Sequence, residues 1–395
     1  MGSDAAWRFA DIAQELHETA VAAVGWDDFG DPSYLVGLRA LLHAYDEDDR
    51  LTDNGRLAAR YDLQSVLIRR LRSEKLLREH ADGVRGELRR PIFITGLVRT
   101  GSTALHYLMG QDPDLQPLPH WLAENPMPVP PRHTWESHPN FQRTAKRLQG
   151  LFAEDPSRAA MHFMGADLPE ECGHLLAQNF TDDRYIVSTT LPTYARWYEN
   201  GEHRETYVRH RRLVELIAAG APHRRWLLKY PVHLRQLPSL LAVYPDACIV
   251  QTHRDPLAVL RSYTNLVASY RKTFEEPIDR AAIAREQMES WAGAAERGIA
   301  ARASAVASSG AARFFDLAFD DFTRDPLGSV RRICGAFDHE LSDSGAAALA
   351  AWIEQDSAAG QGRHQYRDRE FPLRREEVTE RFAAYIDHFG IEAAG

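Results

Sequence analysis

The stretch that most restricts this chain is Pro91-Ile-Phe-Ile-Thr95 followed at once by Gly96-Leu-Val-Arg99-Thr100-Gly101-Ser102-Thr103. A short apolar run bounded by glycine reads as a buried strand. The residues that follow, Ala104–Gly110, carry a helical pattern. Between them the glycines let the backbone fold into a nest whose N–H groups point at an anion, and the helix N-terminus adds its partial positive charge. The spacing is that of a Walker A loop, Gly-x4-Gly, but Ser102 fills the slot of the usual lysine. That lysine reaches the β- and γ-phosphates of a nucleoside triphosphate, so ATP and GTP fit poorly. Arg99 supplies a cation inside the loop, which suits a shorter anionic group. The plain alternative is a tight strand–helix turn that binds nothing.

Three further apolar runs, Trp226–Lys229, Ala247–Thr252 and Phe314–Phe319, read as buried strands, each followed by a turn signal and a helical pattern. Strands alternating with helices predict an α/β fold with a parallel sheet covered on both faces. Ligands of such sheets bind beyond the carboxyl ends of the strands. The proline-rich stretch Gln116–Pro131 is expected as a surface loop, residues 281–307 as a helix, and Glu376–Phe389 as another. Residues 1–88 show only helical periodicity, in Leu35, Leu38, Leu41, Leu42 and in Leu63, Val66, Leu67, Leu71. The expected division is an N-terminal helical segment, 1–88, and an α/β domain, 89–395. The first fits a lid, a dimer contact in a homo-oligomer, or a plain helical layer.

Composition narrows the partners. A net charge of -9 argues against a general nucleic-acid or anionic-membrane binder, although it permits a local basic pocket. The Arg–Arg pairs are scattered and form no nucleic-acid stripe. No run of about 18 apolar residues offers a transmembrane helix. Three widely spaced cysteines, without a CxxC pair, suit a reducing compartment, and the N-terminal residues lack the apolar run of a signal peptide. The expected location is cytoplasmic. The 17 histidines form no HExxH motif, so no metal is expected.

A second anion site is predicted where the strand ending at Thr252 leads into His253-Arg254-Asp255-Pro256 and the helix Leu257–Tyr270. Asp255 is a good N-cap and Pro256 suits the first helical position. Ser262 follows Asp255 by about two turns, so Arg254 and Ser262 can converge on one anion. A helix-end salt bridge is the ordinary role for Arg254 alone. Lys229 is one of only four lysines in an arginine-dominated chain and stands at the carboxyl end of a predicted strand. It is placed either to meet a reacting group or to snorkel at a strand edge.

Together these elements resemble the sulfotransferase superfamily. Gly96–Thr103 is similar to its 5'-phosphosulfate loop, and Arg254 with Ser262 to its 3'-phosphate site at Arg-x7-Ser spacing. The resemblance is closest to a bacterial-type branch with Arg in the first loop, as at Arg99, and an L-K-x-P-x-H-L segment, here Leu228-Lys229-Tyr230-Pro231-Val232-His233-Leu234. Trp121–Pro128, Asp167-Leu-Pro-Glu-Glu171, Pro192-Thr-Tyr194 with Trp197, and Gly362-Arg363-His364-Gln-Tyr366 also look like that branch. Val98, Tyr230 and Phe371-Pro372-Leu373 depart from it, where proline, serine and Phe-Gly-Leu are usual.

The resemblance implies a P-loop NTPase-like sheet flanked by helices. It implies in-line transfer of a sulfuryl group from 3'-phosphoadenosine 5'-phosphosulfate (PAPS) to a hydroxyl, less readily an amine. Arg99, Thr100, Gly101, Ser102 and Thr103 would hold the 5' end, and Arg254 and Ser262 the 3'-phosphate. Lys229 and Arg99 would face the transferring group. His233 is the expected general base, since an unperturbed imidazole titrates near pH 6.5; Glu170, Glu171, His174, His120 and Glu124 compete for the role. Arg363, His364 and Tyr366 are further nucleotide candidates. Trp121, Tyr185, Tyr194, Trp197 and Tyr198 are expected to line an apolar pocket for a small-molecule or glycolipid-like acceptor. Two rivals stand: a small-molecule kinase on the same architecture, and a non-catalytic nucleotide-binding protein.

Overall fold

The computed structural model describes residues 7–48, 50–81, 88–154, 164–220, 224–308, 313–359 and 371–392. Five strands form one sheet: β1 Ile92–Gly96, β2 Leu115–Pro117, β3 Arg225–Lys229, β4 Cys248–His253 and β5 Arg313–Ala318. All pairings are parallel, in the order β2-β3-β1-β4-β5. The four predicted strands are all present within a residue or two of their expected ends. The carboxyl ends of the three central strands, at Gly96, Lys229 and His253, therefore open side by side.

β2 overturns part of the surface-loop expectation for Gln116–Pro131. Leu115–Pro117 pairs with Arg225–Leu227 at the sheet edge, and His120–Glu124 is a fully buried helical turn. Prolines are tolerated here because an edge strand need not donate on its outer side. The C-terminal helix is also two helices, Arg375–Arg381 and Ala383–Phe389, broken at Phe382.

The period-2 alternation of the strands divides the core. On one face Ile92, Ile94, Leu227, Cys248 and Val250 pack on Leu105, Leu108 and Met109 of the helix Ser102–Met109. On the other, Phe93, Leu228 and Ile249 join a larger cluster that runs through Trp121, Tyr194 and Trp291 to the N-terminal helices. Those helices, Ala13–Val24, Tyr34–Glu47 and Asp53–Glu79, are tied to the later chain by polar contacts as well. Buried Arg70 donates to the carbonyls of Phe29, Asp31 and Gln178 and to Asn179 Oδ1. Buried Arg209 pairs with Glu74. Such paired buried charges fix one docking of the layer, since removing either partner strands the other.

No helix among the described residues is long and apolar enough to cross a membrane. Cys172, Cys248 and Cys334 are buried free thiols.

Candidate active site

β1 ends in backbone that few side chains tolerate. Gly96 has φ 134, and a Cβ there would lie 2.3 Å from the Thr252 carbonyl oxygen. Arg99 and Gly101 have φ 61 and 82, so the chain coils tightly before the helix Ser102–Met109. Thr100 pins the coil, with its hydroxyl on the Leu97 carbonyl at 2.8 Å and 2.6 Å from Thr252 Oγ1. The tight turn expected from the glycine spacing is thus built, with the N-terminus of a helix behind it.

The two predicted anion-binding elements adjoin. Arg99 Nε donates to Ser262 Oγ at 2.9 Å, and Arg254 Nη1 donates to the Arg99 carbonyl at 3.0 Å. The Arg254 guanidinium lies over the Phe319 ring, 4.1 Å from its centroid, which holds the fork in one plane. Asp255 caps the helix Pro256–Arg271 by accepting from Leu257 N, as its position predicts. Phe319, the first residue after β5, is not singled out by the sequence as a partner of Arg254, because an aromatic after a strand ordinarily reads as core.

Lys229 is buried at the end of β3. In the sheet register it pairs with Ile94, so its side chain leaves on the face that carries the helix Ser102–Met109. Its Nζ donates to Thr103 Oγ1 at 3.0 Å and to Glu171 Oε1 at 2.5 Å. The backbone delivers Glu171 there. Cys172 N donates to the Lys229 carbonyl at 3.1 Å, and Glu170 N to the Leu118 carbonyl at 2.8 Å. The segment 170–172 is thereby sewn to the ends of β3 and of the edge chain beyond β2. Below Lys229, His106 is fully buried; burial, then the charge of Lys229, pushes its pKa down to about 3 and keeps the ring neutral.

Glu170 belongs to a second layer. Its Oε2 lies 2.6 Å from His120 Nδ1, and its Oε1 accepts from Glu171 N at 2.7 Å. Burial alone would lower His120, but the Glu170 and Glu124 carboxylates outweigh it and push the ring up to about 9. Glu124 accepts from Thr144 Oγ1 at 2.7 Å and pairs with Arg147 at 2.7 Å. Burial opposes its charge, yet the contacts with His120, His174 and Arg147 hold it well below the usual carboxylate range. The His174 ring lies 5.6 Å from that of His120.

His233 is not part of this arrangement, which corrects the expected general base. Its ring is fully buried and packs edge-on to Phe93 at 5.3 Å, on the sheet face opposite to Ile94 and Lys229. Its Nδ1 bonds the buried Tyr207 hydroxyl at 2.9 Å. Burial, with His210 nearby, drives its pKa well below the ordinary range. A histidine four residues beyond a strand-end lysine turns into the core here, because the 3-10 turn Pro231–Leu234 folds it back under the sheet. The aromatic pocket is corrected as well. Trp121, Tyr185, Tyr194 and Tyr198 are core residues, and Trp197 packs partly buried against them. Arg363, His364 and Tyr366 lie outside the described residues.

Comparison with known proteins agrees with this geometry. The sequence model described as "Sulfotransferase family" matches residues 91–343. Among solved structures, the chain is similar to sulfotransferase STF1 from Mycobacterium tuberculosis H37Rv, at 38% identity and a TM-score of 0.84, over 94% of this chain and 98% of that one. It is also similar to sulfotransferase STF9 from Mycobacterium avium, at 25% identity and a TM-score of 0.86, over the whole of both chains. No curated protein matches it. The family match over residues 91–343, which spans both the glycine turn after β1 and the Arg254–Ser262 segment, and the 38% identity to STF1 place this chain in the sulfotransferase family.

Proposed function

We propose that the protein transfers a sulfuryl group from PAPS to a hydroxyl acceptor, less readily an amine, in the cytoplasm. The observation that carries the choice of donor is the contact between Arg99 and Ser262. It brings the 5'-type nest and the Arg254–Ser262 pair close enough for one nucleotide bearing both a 5'-phosphosulfate and a 3'-phosphate. The residues fit that donor: a cradle of N–H groups at Thr100–Thr103, the Arg99 cation in place of a Walker lysine, and a second arginine for the 3'-phosphate. The same features disfavour a kinase, for which Ser102 leaves the triphosphate without its lysine.

Lys229 and Thr103 mark where charge would develop. In the in-line step the acceptor oxygen bonds to sulfur as the bond from sulfur to the bridging phosphate oxygen breaks. The electron pair goes to the departing 3'-phosphoadenosine 5'-phosphate, and Lys229 stabilises that negative charge in a buried setting where it counts most. Glu171, 2.5 Å from Lys229 Nζ, is the carboxylate best placed to take the acceptor's proton. Glu170 stands behind it, occupied by His120.

Calorimetric titration with adenosine 3',5'-bisphosphate, alongside ADP, tests the donor. Tight binding of the bisphosphate that Arg254→Ala abolishes, with no binding of ADP, is the expected result. Binding of ADP or ATP without the bisphosphate would reject the reading in favour of the kinase. Glu171→Gln and Glu170→Gln then test the base: the first is expected to lose turnover with donor binding intact, the second to lose less.

A further inference from the structure

His120, Glu124 and His174 bring two imidazoles and a carboxylate into one buried notch. One ligand-type atom from each lies within 4.8 Å of the others. His120 and Glu124 are four residues apart on one helical turn, with His120 Nε2 3.8 Å from Glu124 Oε1. His174 comes from a separate short helix, Gly173–Leu176. We infer that these three side chains form a binding site for one divalent metal ion of the zinc class, a site the sulfuryl-transfer reading does not call on.

The surroundings carry the inference beyond a chance cluster. Imidazole and carboxylate together suit zinc and its neighbours, and three protein ligands with an open fourth position are a recurrent zinc arrangement. His120 Nδ1 lies 2.6 Å from Glu170 Oε2, so its Nε2 is turned toward the notch. That is the carboxylate–histidine pairing that orients metal-ligating rings. Glu124 is oriented too: Thr144 holds Oε2 at 2.7 Å, which leaves Oε1 facing His120. A cation already stands at the mouth. Arg147 lies 2.7 Å from Glu124 Oε1 and 3.2 Å from His120 Nε2, and its side chain is 45% exposed, so it can swing into water when a metal ion enters. Arg69 reaches His174 Nδ1 at 3.4 Å, a long contact that a small ring rotation releases. With metal–ligand bonds of about 2.1 Å, donor atoms sit about 3.4 Å apart, so shifts of about an ångström close the site.

The test uses the full-length protein, stripped with chelator and titrated with cobalt(II) by visible absorbance and with zinc(II) by calorimetry. One ion per chain is expected, with a cobalt band of four- or five-coordinate intensity that zinc removes. His174→Ala and Glu124→Gln should each weaken binding by about tenfold or more. Arg147→Ala should bind at least as tightly as the wild type, because the competing guanidinium is gone. That outcome separates a metal site from a structural ion network, in which every member's loss is harmful. Absence of saturable binding to folded wild-type protein overturns the inference. So does binding that both ligand variants retain, which would place the ion on other histidines, or binding that Arg147→Ala loses. If Glu124→Gln does not fold, His174→Ala and Arg147→Ala decide it.

Discussion

Arg99 Nε donates to Ser262 Oγ across 163 positions of sequence, at 2.9 Å. This contact joins the turn after β1 to the helix after β4 and brings the two proposed anion sites together. Ser262→Ala keeps both arginines but removes the hydroxyl that accepts from Arg99 and would donate to the anion. Affinity for adenosine 3',5'-bisphosphate should fall about tenfold, the worth of one hydrogen bond to a charged group. Arg254→Ala should cost more, because it removes a charged fork. Calorimetry on the two variants checks the order.

Lys229 is held between Thr103 and Glu171, and its burial makes its charge effective. Lys229→Met keeps the length and the apolar stem. It should lower kcat by about 100- to 1000-fold, as for loss of one preorganised electrostatic contact, with a smaller effect on bisphosphate binding. Single-turnover kinetics with calorimetry separates the two effects.

Asp182 links pH to stability. It is buried, accepts from the Tyr230 hydroxyl at 3.1 Å, and burial raises its pKa from 3.8 to about 7. The folded chain therefore keeps a proton that the unfolded chain has released. The stabilisation is fully present below about pH 4 and is lost as pH rises toward 7, by roughly 1.4 kcal/mol per pH unit. Asp182→Asn should flatten that segment of the profile. Urea unfolding of both proteins between pH 4 and pH 8 measures it.

His233→Ala should act on the fold. It leaves the Tyr207 hydroxyl unpaired and opens a cavity beneath Phe93, a loss of about 2–4 kcal/mol. The folded fraction should keep most of its turnover. Loss of kcat with an unchanged melting temperature would restore His233 as the base.

Gly96→Ala should fail to give stable protein. The added methyl carbon meets the Thr252 carbonyl at 2.3 Å, on backbone with φ 134 that alone costs about 1–3 kcal/mol. Neither strand can retreat, since Gly96 and Thr252 are paired in the sheet register. Soluble yield and thermal denaturation show the effect.

What the sequence alone determined is whatever depends on neighbours along the chain. The run from Pro91 to Thr103 dictates strand, tight turn and helix through local backbone preference. The Asp255-Pro256 pair dictates where the next helix begins. Apolar runs dictated four of the strands. β2 escaped, because three residues at a sheet edge, one of them proline, carry too little periodicity to register. Tertiary structure alone decided which side chains meet. Glu171 reaches Lys229 because backbone hydrogen bonds from 170 and 172 fasten that segment to two strand ends. Arg254 finds Phe319 only once β5 lies beside β4. His233 and Lys229 are four residues apart yet face opposite sides of the sheet. The 3-10 turn between them reverses the side-chain direction, so His233 packs beside Phe93 while Lys229 meets Thr103 and Glu171.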